Sequence, residues 1–292
     1  MKTKSKIWLG VGAFVVVGTG AVAAKSMVPT SGPTLGGLAT WPATDTAPAR
    51  AAGGGPVLAQ HEGHQPDAGE GGESQRIANL PPELALAVRL ALLRGHLGIG
   101  DELVKQKQWN AALPHFLHPT EELYADIKGP LAERNVPPFE DALQALAAAV
   151  KAKKGGADYA KALKAVSDPL AAADAALKAK STDWAGFMTE AAVESIKAAG
   201  SEYAEAVVDG KLAKPVEYQD ARGFIWQADR MIESVAADLQ KKDPNALKAV
   251  RAGFAELKKI FPAAMPPRRP VKDHAQLLAI VSRIELTAAK LM

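Results

Sequence analysis

From Leu80 to the C-terminus the chain is written mostly in Ala, Leu, Lys, Glu and Val, cut at intervals by proline, glycine and aspartate. Those residues favour helix, and almost no strand-like run competes with them. The turn signals divide the stretch into eight expected helices. Pro81 and Pro82 open the first, to about Lys107. The second covers about 109–134 and is kinked at its prolines. A third runs 139–153, ended by Gly155-Gly156, and a fourth 158–180. Ser181-Thr182-Asp183 caps a fifth, 184–208, which Asp209-Gly210 stops. Pro215 opens a sixth to about 242, Asp243-Pro244 a seventh to 261, and 271–291 forms the eighth. The lengths run long, long, short, medium, and then repeat. The expected fold is therefore all-α, with two consecutive up-down four-helix bundles over 80–180 and 181–292.

The N-terminus differs. Lys2, Lys4 and Lys6 precede an uncharged run, 7–24, that ends in Ala-Val-Ala-Ala. This reads as a signal peptide over 1–24, cleaved near Ala23 or Ala24, with an uncleaved membrane anchor as the alternative. Either way the remainder is expected in the periplasm, touching the membrane only through this segment if it is kept. Removing it changes the charge balance. The chain has 35 Lys+Arg and 32 Asp+Glu, and 1–24 holds three lysines and no acid, which leaves 32 against 32. No basic excess is left for nucleic acid. Residues 25–79 are rich in Pro, Gly, Ala, Ser and Thr, a composition expected to stay disordered as a linker. They contain His61, Glu62 and His64, a weak metal-capture pattern or an incidental one. With no cysteine, disulfides, thiol catalysis, iron–sulfur clusters and covalent haem drop out.

The stretch Gly95–Asp126 carries the most chemistry, with three of the six histidines. Read as a helical hairpin turning near Lys107, it sets His96 opposite His118 and Pro119. His115, His118, Glu122 and Asp126 fall at i, i+3, i+7 and i+11, one stripe of the return helix beside an apolar stripe of Leu113, Phe116, Leu123 and Ile127. Imidazoles and carboxylates at the edge of a bundle core suit a transition metal, iron or copper. A solvated or hydrogen-bonded polar edge is the other reading, because Pro114 and Pro119 disturb the helix that the stripe assumes. Gly95, Gly98 and Gly100 surround His96. They either break the first helix or admit a close-packed backbone or a flat ligand.

A second cluster lies further on. Tyr203, Glu217, Tyr218 and Asp220 gather at one end of the expected fifth and sixth helices, and phenols and carboxylates are hard ligands suited to ferric iron. The pattern Tyr203-x-x-Ala206-Val207-x-Asp209-Gly210-Lys211, followed by Glu217-Tyr218, resembles a segment of the extracytoplasmic helical region of high-affinity iron permeases, over 201–224. The resemblance implies a free-standing relative of that accessory region. The permeases' membrane helices and their Arg-Glu-x-x-Glu motifs have no counterpart here. The general layout is also similar to imelysin-type iron-uptake proteins, although their His-x-x-Glu motif is missing, with Ile99 three residues after His96.

Together these features lead to an exported metal-binding or metal-handling protein, iron ahead of copper, beside an envelope transporter or redox partner. Two other classes stay open: a protein-interaction module of the envelope, and a bundle binding haem b through His96 and His118. An enzyme is not expected. The chain has no cysteine, no glycine-framed serine and no His-Glu-x-x-His helix.

Overall fold

The computed structural model describes residues 76–292, which lie within one compact unit. The expected signal peptide or anchor, the linker up to residue 75 and the His61/Glu62/His64 pattern lie outside the described residues. The last residues assigned to the linker, 76–79, are part of the folded body. Ile77 is buried, and Arg76 pairs with Glu194. A single large apolar side chain and one ion pair anchor a segment that composition alone assigns to disorder.

Among the described residues the fold is all-helical apart from one minimal hairpin. In chain order the helices are α1 (Pro82–Lys105), α2 (Trp109–Ala112), α3 (Pro114–His118), a π-helical turn (Pro119–Leu123) and α4 (Tyr124–Ala132). They continue with α5 (Glu140–Lys151), α6 (Ala157–Lys180), α7 (Trp184–Ala206), α8 (Pro215–Ser234), α9 (Ala236–Lys242), α10 (Pro244–Lys258) and α11 (His274–Ala288). Between α7 and α8, β1 (Val207–Val208) pairs antiparallel with β2 (Lys211–Leu212). The expected helix stop at Asp209-Gly210 is the turn of this hairpin. Both residues have positive φ, 51° and 70°, which an Asp-Gly pair in a two-residue turn accommodates.

Aspartates set several helix starts. Asp183 accepts from the Gly186 N–H at 3.0 Å, and Asp243 from Asn245 and Ala246 at 2.9 Å each. Asp273 and Gln276 form a reciprocal capping box on α11. The expected second helix is broken where its prolines fall, into α2, α3, the π turn and α4. Proline cannot donate to the helical ladder, and the bond that closes the π turn, Tyr124 N–H to the Pro119 carbonyl, spans five residues instead of four.

α7 and α8 form the main antiparallel pair, with α10 and α11 packed beside them. α1 lies along both α8 and α7, across the expected boundary at residue 180. α5 and α6 form a hairpin, and α3 and the π turn fill the space between α1 and α5. One continuous apolar core runs from Ile77 to Leu291.

α1 is unbroken through its glycines, and two of them set how closely other elements approach. A Cβ on Gly95 would stand 2.5 Å from Phe224 Cδ1 and 3.2 Å from the Gly223 carbonyl carbon. One on Gly223 would stand 2.5 Å from the Gly95 carbonyl oxygen. The backbones of α1 and α8 therefore touch at a glycine–glycine crossing. At Gly100, one turn further, a Cβ would meet the Phe116 ring at 2.6 Å, so α3 also sits tight against α1.

Gly223→Ala should lower unfolding stability by about 1–3 kcal/mol, because the methyl forces two helix backbones apart. Lys161→Ala, at an exposed position of α6, should change it by no more than about 0.5 kcal/mol. Urea titration of the two variants, side by side with the parent protein, checks the contrast.

Candidate metal centre

The glycine crossing decides what meets in the interior. His96 follows Gly95 on α1, and Asp220 lies one turn before Gly223 on α8, so the crossing brings both to the same place. α3 supplies His115 and His118, held in by Phe116 against Gly100. The π turn places Glu122 beside His118. Three separate segments thus converge on one buried cluster.

Asp220 is its centre. Oδ1 lies 2.6 Å from His96 Nδ1 and 2.8 Å from His115 Nδ1. Oδ2 faces His118 Nδ1 at 3.4 Å, and the same nitrogen lies 3.6 Å from Glu122 Oε1. On its far side His115 Nε2 reaches Gln219 Oε1 at 2.9 Å. The Gln219 amide nitrogen in turn faces Met265 Sδ at 3.6 Å. The rings crowd together, with His96 and His118 centroids 5.3 Å apart at 86° and Phe224 edge-on to His96 at 4.9 Å. His96, His115, His118, Gln219 and Asp220 are all buried.

Burial fixes the charge states. Removal from water pushes the His96 imidazole down, and the nearby His118 and His115 rings push it further, against the pull of Asp220. His96 is therefore neutral, donating from Nδ1 to Asp220. Burial pushes the Asp220 carboxyl up, but the electrostatic attraction of the His96 and His115 rings and the hydrogen bonds from His115 and His118 outweigh it, holding Asp220 well below the usual carboxylate range. His115 faces oxygen at both nitrogens, Asp220 Oδ1 on one side and Gln219 Oε1 on the other, so α8 side chains hold its ring from two directions.

Two donor groups can close on an ion, His96/His118/Glu122 and His96/His115/Asp220, with all ligand atoms of each group within 4.8 Å of one another. The residues present fit a metal. Bonds of about 2.1 Å from N and O donors put neighbouring ligands roughly 3.0–3.4 Å apart, close to the spacing of His118 from its two carboxylates. Three imidazoles with two carboxylates suit a borderline divalent ion better than a hard trivalent one. In the protonated arrangement the hydrogen atoms on the imidazoles occupy the directions that an ion would take.

The sequence stripe reappears in part. His96, His115, His118 and Glu122 come together, with His96 opposite His118 across a turn where Lys107 has φ 60°. Asp126 does not join them; it pairs with Arg89 at 3.1 Å. The π turn adds a residue to one helical turn and rotates everything after it out of the stripe.

The second cluster divides. Tyr203 donates to the Lys272 carbonyl at 2.6 Å and Tyr218 to the Ala263 carbonyl at 3.1 Å, which ties the loop between α10 and α11 to α7 and α8. Burial pushes both phenols up to about 12, so they remain protonated donors and not phenolate ligands. Glu217 sits in the first turn of α8, where a carboxylate complements the helix dipole, and joins neither donor group. Asp220 leaves that cluster to become the hub of the first. Gln219 is the residue that the sequence reading missed. The one local signal for it was a run of polar residues, Gln219, Asp220 and Arg222, inside a helix segment buried on every side.

Residues 179–292 match the family model described as the iron permease-associated 4-helix bundle domain. The resemblance read over 201–224 therefore extends over α7 to α11, and Asp220 and Gln219 lie inside the matched region, whereas His96, His115, His118 and Glu122 lie before it. No curated protein and no solved structure matches the chain.

His96 and Asp220 both bind protons less readily folded than unfolded. The unfolded chain therefore takes up protons first as pH falls, and the metal-free protein loses stability. The His96 contribution is present above its ordinary value of about 6.5 and is lost below it; that of Asp220 goes only below about 4. Urea midpoints should fall between pH 7 and pH 5, and His96→Gln should flatten that slope. Asp220→Asn, which strips the counter-charge from buried imidazoles, should cost about 3 kcal/mol at pH 7 by the same measurement.

Proposed function

We propose that this protein binds a transition metal ion, iron ahead of copper, at the His96/His115/His118/Asp220 cluster with Glu122 at its edge. It does so as a non-enzymatic, exported component beside an envelope iron transporter or redox partner. The observation that carries the reading is the convergence of two His/carboxylate donor groups, sharing His96, on one buried point. The match of 179–292 to an iron permease-associated bundle supports iron over other ions. The lysine-led apolar N-terminus supports a periplasmic location. No helix among the described residues is long and apolar enough to cross a membrane. Three imidazoles favour the ferrous over the ferric ion. A bare ion fits better than haem b. His96 and His118 turn their Nδ1 atoms toward one carboxylate, with ring centroids 5.3 Å apart, and no porphyrin plane fits between them.

Anaerobic titration of the untagged metal-free protein with Fe²⁺ should give about one equivalent bound. The His96→Ala/His118→Ala double variant should lose at least about two orders of magnitude in affinity, since it removes two ligands where loss of an outer-shell partner alone costs 10–100-fold. Cu²⁺ serves as the comparison ion. Unchanged Fe²⁺ uptake by a folded double variant would overturn the assignment.

A further inference from the structure

The two donor groups do not lie at the same depth. In the inner one, the side chains of His96, His115 and Asp220 are 4%, 0% and 3% exposed. In the outer one, His118 is 9% exposed and Glu122 is 31% exposed. Of the five donor side chains only Glu122 reaches solvent to any extent. A hydrated cation sheds its water shell stepwise as protein ligands replace it, and the first replacement has to occur where water and a ligand are both present. In this cluster that place is Glu122.

The next ligand is already positioned. His118 Nδ1 lies 3.6 Å from Glu122 Oε1 and 3.4 Å from Asp220 Oδ2, nearly equidistant from the outer and inner carboxylates. One imidazole can thus hold an ion together with Glu122 and then, after a small shift, together with Asp220. His96 belongs to both groups, so an ion moving between them keeps one bond throughout.

The segment that presents Glu122 is suited to yielding. It is the π turn, closed by a bond across five residues, and it includes a buried hydroxyl, Thr120 Oγ1, with no hydrogen-bond partner. An unsatisfied buried hydroxyl and a wide turn both make this the weakly held part of the wall. The opposite walls are α1 and α8, locked backbone to backbone at Gly95 and Gly223.

The geometry points to Glu122 as an exchange ligand: it captures the incoming divalent ion from water, passes it through His118 to the Asp220 position, and takes it back on release. This rests on the metal-binding reading of the same cluster. Glu122 then governs the rates of loading and release, while Asp220 and the imidazoles govern the affinity. The ion concerned is a divalent metal delivered in weakly complexed form.

Co²⁺ is the probe, because its visible absorption reports ligation directly. Stopped-flow loading of the metal-free full chain, and EDTA-driven removal from the loaded one, give the two rates. Glu122→Gln should slow both by about tenfold or more and still keep about one equivalent bound; because loading and release slow together, the affinity should fall far less than either rate. Glu121→Gln, an exposed carboxylate of the same turn, should change neither rate. Parent-like rates in Glu122→Gln would overturn the exchange role, as would loss of the bound equivalent, which would make Glu122 a permanent ligand. If the parent protein takes up no Co²⁺, Fe²⁺ or Cu²⁺, the metal-binding reading falls, and the exchange role with it. A parent that binds while Glu122→Gln exchanges normally removes the exchange role alone.

Discussion

The contact on which the rest of the structure depends is the meeting of two glycines. Gly95 on α1 and Gly223 on α8 bring their backbones together with no side chain between, and each would clash with a methyl on the other. Helices separated by ordinary side chains pack about 8–10 Å apart. Without the glycines, His96 and Asp220 would stand too far apart for the 2.6 Å contact they make. The same device at Gly100 admits Phe116 and draws α3 inward, and with it His115 and His118. Each mid-helix glycine costs about 1 kcal/mol of helix propensity. The apolar contact along α1, buried nearly all round, offsets that cost.

Into this tightly packed junction the chain places three imidazoles, a carboxylate and an amide. Their mutual hydrogen bonds satisfy them, but such a cluster is no better for stability than the leucines and alanines around it, because desolvation of the charges offsets most of their attraction. Its value lies in what it can hold. Burial together with the neighbouring groups keeps Asp220 ionised and His96 neutral, the states in which a carboxylate and an imidazole can donate to a cation. Glu122 adds a second negative charge at the edge.

Local pattern revealed the helices because proline, glycine and aspartate punctuate the sequence where helices must end, and the 3.6-residue period identifies buried faces. The hairpin around Lys107 was legible for the same reason: equal distances from a turn place His96 across from His118. Asp126 was misplaced because a stripe extrapolated along an ideal helix cannot anticipate the extra residue of the π turn. The β1–β2 hairpin escaped because two-residue strands have no period to read. Asp220 was assigned to the wrong partners because its neighbours in space come from α1 and α3, more than a hundred residues earlier in the chain. Only Gly95, Gly98 and Gly100 in the first helix hinted that another backbone would pack close, and nothing local said that Gly95 would find Gly223. Tyr203 and Tyr218 looked like ligands because phenols suit ferric iron and the two gather with carboxylates at one end of the expected hairpin, while the structure uses them to fasten a proline-rich loop.

The division of labour along the chain bears on function. The bundle of α7 to α11 matches an iron permease-associated domain, yet that region supplies only Asp220 and Gln219 to the cluster. α1 and the broken return segment supply every imidazole and the outer carboxylate. The His/carboxylate cluster is thus built between the matched domain and the helices that precede it. The measurement that tests this most directly is anomalous diffraction at the iron edge, on crystals of the protein grown with Fe²⁺ without oxygen. The account predicts one strong peak within bonding distance of His96 and His118, next to Asp220. A peak elsewhere on the protein, or ordered His96, His115, His118 and Asp220 still hydrogen-bonded to one another with no peak among them, would contradict it.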